Sequence, residues 1–433
     1  MAGSLSHLRV LDLSRVLAGP WAAQTLGDLG AEIIKVEKPG SGDDTRTWAP
    51  PFVKDANGAD TRESAYFMCT NRNKKSVAID FTQAEGQALV RELAAQSDVL
   101  IENFKVGGLK QYGLDFAALH ALNPRLVYCS VTGFGQTGPY APRAGYDFLI
   151  QGMGGLMSIT GRRDDEAGAG PLKVGVALTD VMTGLYASTA ILAALAHRDR
   201  TGVGQHIDMS LLDVQIACLA NQSMNYLNTG EAPRRLGNAH PNVVPYQDFP
   251  TADGDMILAV GNDGQFARLC AALGQPELAS DARYATNAAR VANRETLIPR
   301  LRQLTVHRST DAWVALLEAA NVPCGPINDL ARVFRNPQVV ARGVRVEMTH
   351  PQVGSIPLVA SPMRLSASPV EYREPPPLLG EHTAAVLRDL LHLDDAALER
   401  LVSARVIAAA PVDSGADSGT NAKAHAAAPS TAS

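Results

Sequence analysis

One carboxylate in this chain is set where it could do covalent chemistry. Asp180 lies within 171-PLKVGVALTDVMTGLYASTAILAALAHRDR-200, among small and apolar residues. The run VGVAL ahead of it reads as a short strand or extended segment. The run VMTGLYASTAILAALAH behind it reads as a helix, apolar almost all round and therefore buried. Asp180 is thus expected at a strand-to-helix joint, at or just before the helix N-terminus. Unpaired backbone N–H groups and the helix dipole favour the ionised form there. A partly desolvated aspartate at the foot of a buried helix can attack an activated acyl group. The same position fits a plain N-cap, and spacing alone leaves both readings open.

The elements that must hold such a residue are legible upstream. HLRVLDLS (7–14), AEIIKVE (31–37), SDVLIENF (97–104) and RLVYCSVTG (125–133) are strand candidates. PWAAQTLGDLG (20–30) reads as a helix closed by glycine, and FAALHALN as a further helix. Thr82 and Glu85 have the spacing of a capping box ahead of TQAEGQALVRELAAQ. Strand, helix, strand at these intervals predicts a Rossmann-like parallel sheet covered on both faces, with ligands beyond the C-terminal strand ends. Lys38, Asn103, Phe104 and Lys105 fall at such ends. No GxxxxGK[ST] occurs and no GxGxxG follows the first strand; the glycines of 40-GSGDD-44 read as a turn. A sheet of this kind without the dinucleotide loop argues against NAD and leaves room for coenzyme A. That ligand wants scattered basic residues and a slot for its adenine.

Residues 201–222 add a turn, a strand and a helix that close the large sheet. Beyond about 225 the pattern changes. VVPYQDFPTADGDMILAVGND (243–263) reads as a hairpin turning at Ala252-Asp253-Gly254, with helices at about 265–273 and 296–320. The expected organisation is α/β: a large CoA-binding part over 1–225 carrying Asp180, a smaller α+β part over 226–325, and a return to the large part over 326–408. The small, polar residues 409–433 read as a disordered tail.

The 433 residues are 46% hydrophobic and 19% charged, with a formal net charge of −5. That balance suits a globular enzyme and gives no basic excess for a nucleic acid. Cys69, Cys129, Cys218, Cys270 and Cys324 show no metal-ligand spacing and read as reduced thiols of a cytoplasmic protein. The N-terminal residues carry no signal-peptide pattern, and the apolar stretch 184–195 falls short of a membrane span. No metal, no nucleic acid and no membrane are expected as partners.

ALTDVMTG, together with LDLSRVLAGPWAAQTLGDLGAEIIKVEKPGSGDDTR, resembles the family III CoA-transferases of the formyl-CoA transferase type, over roughly residues 6–406. NRNKKS, GYD, VPYQDFPTADG and PPPLLGEHT resemble its succinyl-CoA–glutarate branch most. The resemblance implies Asp180 as nucleophile, passing through an aspartyl-CoA thioester. CoA thioesters would be substrates, with no permanently bound cofactor. It implies CoA contacts at Leu17, Ala18, Lys38, Ile79, Asn103, Phe104, Lys105, Gln111, Tyr146 and Asp147. Gln111 and Ala144 replace basic residues of the family, and Lys110 and Arg143 are neighbours able to restore the charge. It further implies an interlocked homodimer, and a glycine loop over the active site at Gly261. Dicarboxylates such as succinate and glutarate are the implied acids. A second carboxylate calls for an arginine, for which Arg46 and Arg72 are the candidates among Arg15, Arg143 and Arg235. The rival readings are a CoA-thioester racemase and a non-catalytic acyl-CoA binder. A racemase in this family carries histidine where Tyr146 stands, and a phenol with pKa near 10 makes a poor base.

Overall fold

A computed structural model describes residues 3–55 and 57–408; the expectation for 409–433 lies outside them. Six parallel strands form its central sheet: β1 (Arg9–Asp12), β2 (Glu32–Glu37), β3 (Lys74–Ile79), β4 (Val99–Glu102), β5 (Val127–Thr132) and β6 (His206–Ser210). Their spatial order is 3-2-1-4-5-6, the doubly wound order whose direction reverses between β1 and β4. A seventh, antiparallel strand, β12 (Ile407–Ala408), closes the β3 edge by pairing Ile407 with Ile79.

Strands such as VLIE and VYCSVT are buried along their whole length because both faces of the sheet are covered. Val10, Ile33, Val99 and Val127 face α1 (Ala18–Asp28) and α5 (Leu178–Thr201). Leu11, Ile34, Val77 and Leu100 face the opposite layer, which includes α2 (Ala84–Ala95), α3 (Phe116–Leu122) and α11 (Thr383–Leu391). Between the fifth strand and α5 lies α4 (Asp147–Met153); α6 (Leu211–Cys218) and α7 (Asn221–Thr229) follow β6.

Residues 244–322 build a separate apolar core around Phe249, Met256, Phe266, Leu269 and Trp313. Strands β7 (Tyr246–Pro250) and β8 (Asp255–Ala259) are antiparallel and turn at 251–254, as the hairpin pattern predicts. The third strand of that sheet is β9 (Cys324–Pro326), so VPCGP stays with the hairpin. The longer helices are α8 (Asp263–Ala272), α9 (Arg294–Thr305) and α10 (Thr310–Ala319). The predicted helix 296–320 is therefore two, broken where the Ser309 hydroxyl caps α10 by accepting from Ala312 N. A second hairpin pairs β10 (Arg345–His350) with β11 (Gly354–Val359) and packs against Met68.

Three local expectations fail. Residues 171–177 form no strand, so α5 is entered from irregular chain. Helix α2 starts at Ala84 behind Gln83, and Thr82 donates to Asp80 instead of capping. Helix α5 is 24 residues long and apolar enough to cross a membrane by length and composition, yet only one side is buried: Leu185 and Tyr186 are exposed. Its other side packs on α1 and the sheet, as a core helix does.

Candidate active site

The site forms where the sheet order reverses. The loop after β1 and the loop after β4 diverge there and are tied by a reciprocal pair: Arg15 N donates to Asn103 Oδ1 (3.0 Å), and Asn103 Nδ2 donates to Arg15 O (2.7 Å). A cleft opens between them, walled by Arg15–Ala18, Asn103–Val106, Arg143–Tyr146 and Asp180. A second cleft shares Arg15 and Phe104 with the first and continues past Lys38, Gly42, Ile79 and Phe81. Seven predicted CoA contacts thus join Asp180 in one cleft: Leu17, Ala18, Asn103, Phe104, Lys105, Arg143 and Tyr146. Lys38 and Ile79 line its extension.

Asp180 is 9% exposed and sits in the first turn of α5, not at its cap. Capping is done from a distance. Asp147, at the start of α4, accepts from Thr179 N at 2.8 Å and Asp180 N at 3.4 Å. Its other oxygen accepts from Gln151 Nε2 (2.7 Å), and Gln151 accepts from Val174 N, which secures the irregular entry chain. Asp180 is therefore free of capping duty, and its carboxylate accepts no hydrogen bond from the described residues. Burial, and then the charge of Asp147, push it up to about 7. The helix end on which the sequence argument relied to keep it ionised is already neutralised by Asp147.

Across the cleft stands the N-terminus of α1. Its N-cap residue, Leu17, offers no side-chain cap, no acid occupies the first turn, and Pro20 brings no N–H. The N–H groups of Leu17 and Ala18 have no partner among the described residues. Gly184, one turn after Asp180, lets α5 approach this end closely. A Cβ there would meet Ala18 O at 2.7 Å and Trp21 Cβ at 2.9 Å. The absent side chain brings the carboxylate's helix against the donor end of α1.

The remaining predicted residues lie elsewhere. Asp147 acts behind Asp180 and does not line the cleft. Gln111 is exposed on a short 3₁₀ turn and donates to Gly108 O. Gly261 is exposed after β8, its N–H held by Gln265. Arg46 and Arg72 require correction as substrate arginines. Arg46 is buried, bonds both oxygens of Glu37 at 2.8 Å, donates to Pro377 O, and lies over the Phe67 ring. Arg72 is buried against both oxygens of Asp28 and donates to Val359 O. Neither guanidinium faces the cleft. Arg143 does, stacked on Tyr140 and Phe134, and so does Arg15, paired with Asp44 at 3.0 Å. Tyr146 is exposed at the cleft wall.

Tyr66 escaped the sequence reasoning. Burial, and then the neighbouring Asp180 charge, push its phenol up to about 12, so it stays protonated near the carboxylate. Nothing in the pattern SAYFM marks it, because a tyrosine in a short helix reads as packing.

A doubly wound sheet, a basic-walled cleft at its switch point and one unpartnered carboxylate beside helix donors make a site suited to an anionic ligand in an α/β protein. The family described as CoA-transferase family III matches residues 5–383. The succinate–glutarate CoA-transferase of Agrobacterium fabrum is 54% identical over 386 residues, covering 89% of this chain and 95% of that protein. The succinyl-CoA:glutarate CoA-transferase of Mus musculus is 46% identical, covering 93% and 90%. Among solved structures, a CAIB/BAIF family protein from Brucella suis superposes with a TM-score of 0.79 at 52% identity, covering 90% of this chain and all of that one. The chain belongs to CoA-transferase family III, and it is an enzyme that transfers CoA.

Proposed function

We propose that this enzyme moves CoA from succinyl-CoA to glutarate, or to a closely related dicarboxylate, through an aspartyl-CoA thioester at Asp180. The names of the two relatives above support the acid pair. The observation that carries the mechanism is the buried, unpartnered Asp180 carboxylate in a cleft shared with the free donor end of α1.

The steps balance without a metal or redox group. An Asp180 oxygen attacks the succinyl carbonyl, and the C–S bond breaks to give an aspartyl–succinyl anhydride and CoA thiolate. The thiolate attacks the Asp180 carbonyl, forming the aspartyl-CoA thioester and releasing succinate. Glutarate attacks that thioester, expelling thiolate and leaving an aspartyl–glutaryl anhydride. The thiolate then takes the glutaryl carbonyl and returns Asp180 as a carboxylate. Each tetrahedral intermediate carries an oxyanion, and Leu17 N–H and Ala18 N–H are its donors in this reading. A pKa near 7 keeps much of Asp180 ionised at neutral pH and makes it a stronger nucleophile than an ordinary carboxylate. Lys38 and Arg143 supply positive charge for the CoA phosphates, and Phe104 and Ile79 wall the adenine slot. With Arg46 and Arg72 engaged in the core, no substrate arginine is assigned.

We further read the chain as a homodimer, with a large part over 1–225, a small part over 226–325 and a return over 326–408. Support for the dimer comes from the apolar side chains that one chain leaves exposed on α4, α5 and α7: Phe148, Leu149, Leu185, Tyr186, Met224 and Leu227. Large apolar side chains exposed on these helices suit burial against a second copy of the chain.

The test is intact mass after incubation with succinyl-CoA, with borohydride or hydroxylamine trapping. A modification mapped to Asp180, lost in Asp180→Asn together with transfer to glutarate, is the expected result. Full transfer activity in Asp180→Asn would sink the assignment.

A further inference from the structure

The wall of the cleft that carries the α1 donors is made of strained chain. Val16 has φ +74°, a left-handed conformation that crowds the β-carbon and is an outlier for a β-branched residue. Such a backbone persists only where its surroundings over-determine it. Here they do, and the bonds converge from one buried source. Val16 N donates to Asp43 Oδ1 (3.2 Å), which also accepts from Thr45 N (3.0 Å) and Thr45 Oγ1 (2.8 Å). The other Asp43 oxygen pairs with Lys35 Nζ at 2.9 Å, and that ammonium donates to Ser14 O at 2.8 Å, two residues before Val16. Asp43 N in turn donates to Glu37 Oε2, the carboxylate that grips Arg46. Asp43 and Lys35 are almost wholly buried. Burial alone would raise the Asp43 carboxyl, but Lys35 and the Thr45 bonds hold it down at about 2, so it stays charged.

We propose that Asp43 is a positioning residue for CoA transfer, which holds Val16 in its left-handed turn so that the N–H groups of Leu17 and Ala18 face the cleft. Asp43 lines the clefts only on the far side of Arg15 and is absent from the wall around Asp180. It acts through the backbone of residues 14–17. The 40-GSGDD-44 segment, a plain turn by its sequence, thereby becomes the support of the catalytic wall, and Arg46 is the outer anchor of the same chain of bonds. The inference rests on the cleft being the active site.

The experiment is a cycle on the whole enzyme: Asp43→Asn, Val16→Gly and the pair together, each assayed for kcat, KM and melting temperature with succinyl-CoA and glutarate. Glycine adopts positive φ without steric cost, so it needs no aspartate to hold it there. The expected results are a kcat loss of about tenfold or more when Asp43→Asn is made in the parent, with KM for glutarate changed little, and a several-fold smaller loss when it is made in the Val16→Gly background. The loss of melting temperature should not shrink with it. A general loss of stability would move kcat and melting temperature together. Unchanged kcat in Asp43→Asn, or an equal kcat loss in the two backgrounds, would overturn the proposal. If Asp43→Asn does not fold, Thr45→Val loosens the same carboxylate without stripping a charge, and the cycle with Val16→Gly is read the same way. Full activity in Asp180→Asn would remove the active-site reading itself, whereas inactive Asp180→Asn beside fully active Asp43→Asn removes only the role of Asp43.

Discussion

Asp180→Asn should make the protein inactive and, above neutral pH, more stable. The carboxyl lies near 3.8 in an unfolded chain and at about 7 in the fold, because burial first and Asp147 second oppose its charge. Between those values the folded chain holds a proton that the unfolded chain has released, so stability falls as pH rises through the window. Above about 7 the whole penalty is present. Linkage makes it about 2 kcal/mol at pH 5 and about 4 kcal/mol at pH 8. Asparagine does not titrate and escapes the penalty. Any packing difference between the two side chains adds a constant offset, so the slope with pH is the readout. For a chain of this length, about 1 kcal/mol moves the melting temperature by about 1 °C. Scanning calorimetry of both proteins from pH 5 to pH 8 should therefore show the gap widening by about 2 °C in favour of Asp180→Asn. A gap that is flat with pH, or that widens in favour of the parent, would refute the argument that Asp180 is held charged against its environment. For the proposed nucleophile, such a place would trade stability for reactivity.

Three further predictions concern the same neighbourhood. The rate of CoA transfer should fall on the acid side with a midpoint near 7. Asp147→Asn should move that limb to lower pH, since it removes a negative neighbour while its amide oxygen can still cap α5; a pH–rate profile of kcat checks the direction. Gly184→Ala should lower kcat by about tenfold or more, because its Cβ would lie 2.7 Å from Ala18 O and must drive α1 and α5 apart. Unchanged kcat with an unchanged melting temperature would show that the helices have room the geometry denies.

Most of the parallel strands were readable from short runs centred on Val, Ile or Leu, such as EIIKVE and VYCSVT, at strand–helix–strand spacing, whereas KKSVAI (β3), opened by two lysines, was not read as one. The hairpin at 252–254 was readable from its turn chemistry, and the place of Asp180 at a helix start from the apolar run behind it. Periodicity and local composition report how deeply a segment is buried and how it turns. They do not report which distant group it meets. Sequence alone put Asp180 at a helix start but could not show that Asp147, 33 positions earlier, takes over the cap and raises its pKa. Arg46 and Arg72 look like any cation near a ligand until the fold buries them against Glu37 and Asp28. Val16 carries no local mark of a left-handed turn, since valine is among the residues least suited to one. That conformation exists because the sheet order brings the loops after β1 and β2 together and places Asp43 and Lys35 beneath it. Local chemistry is written in the order of residues; the charges that tune the site are neighbours only in three dimensions.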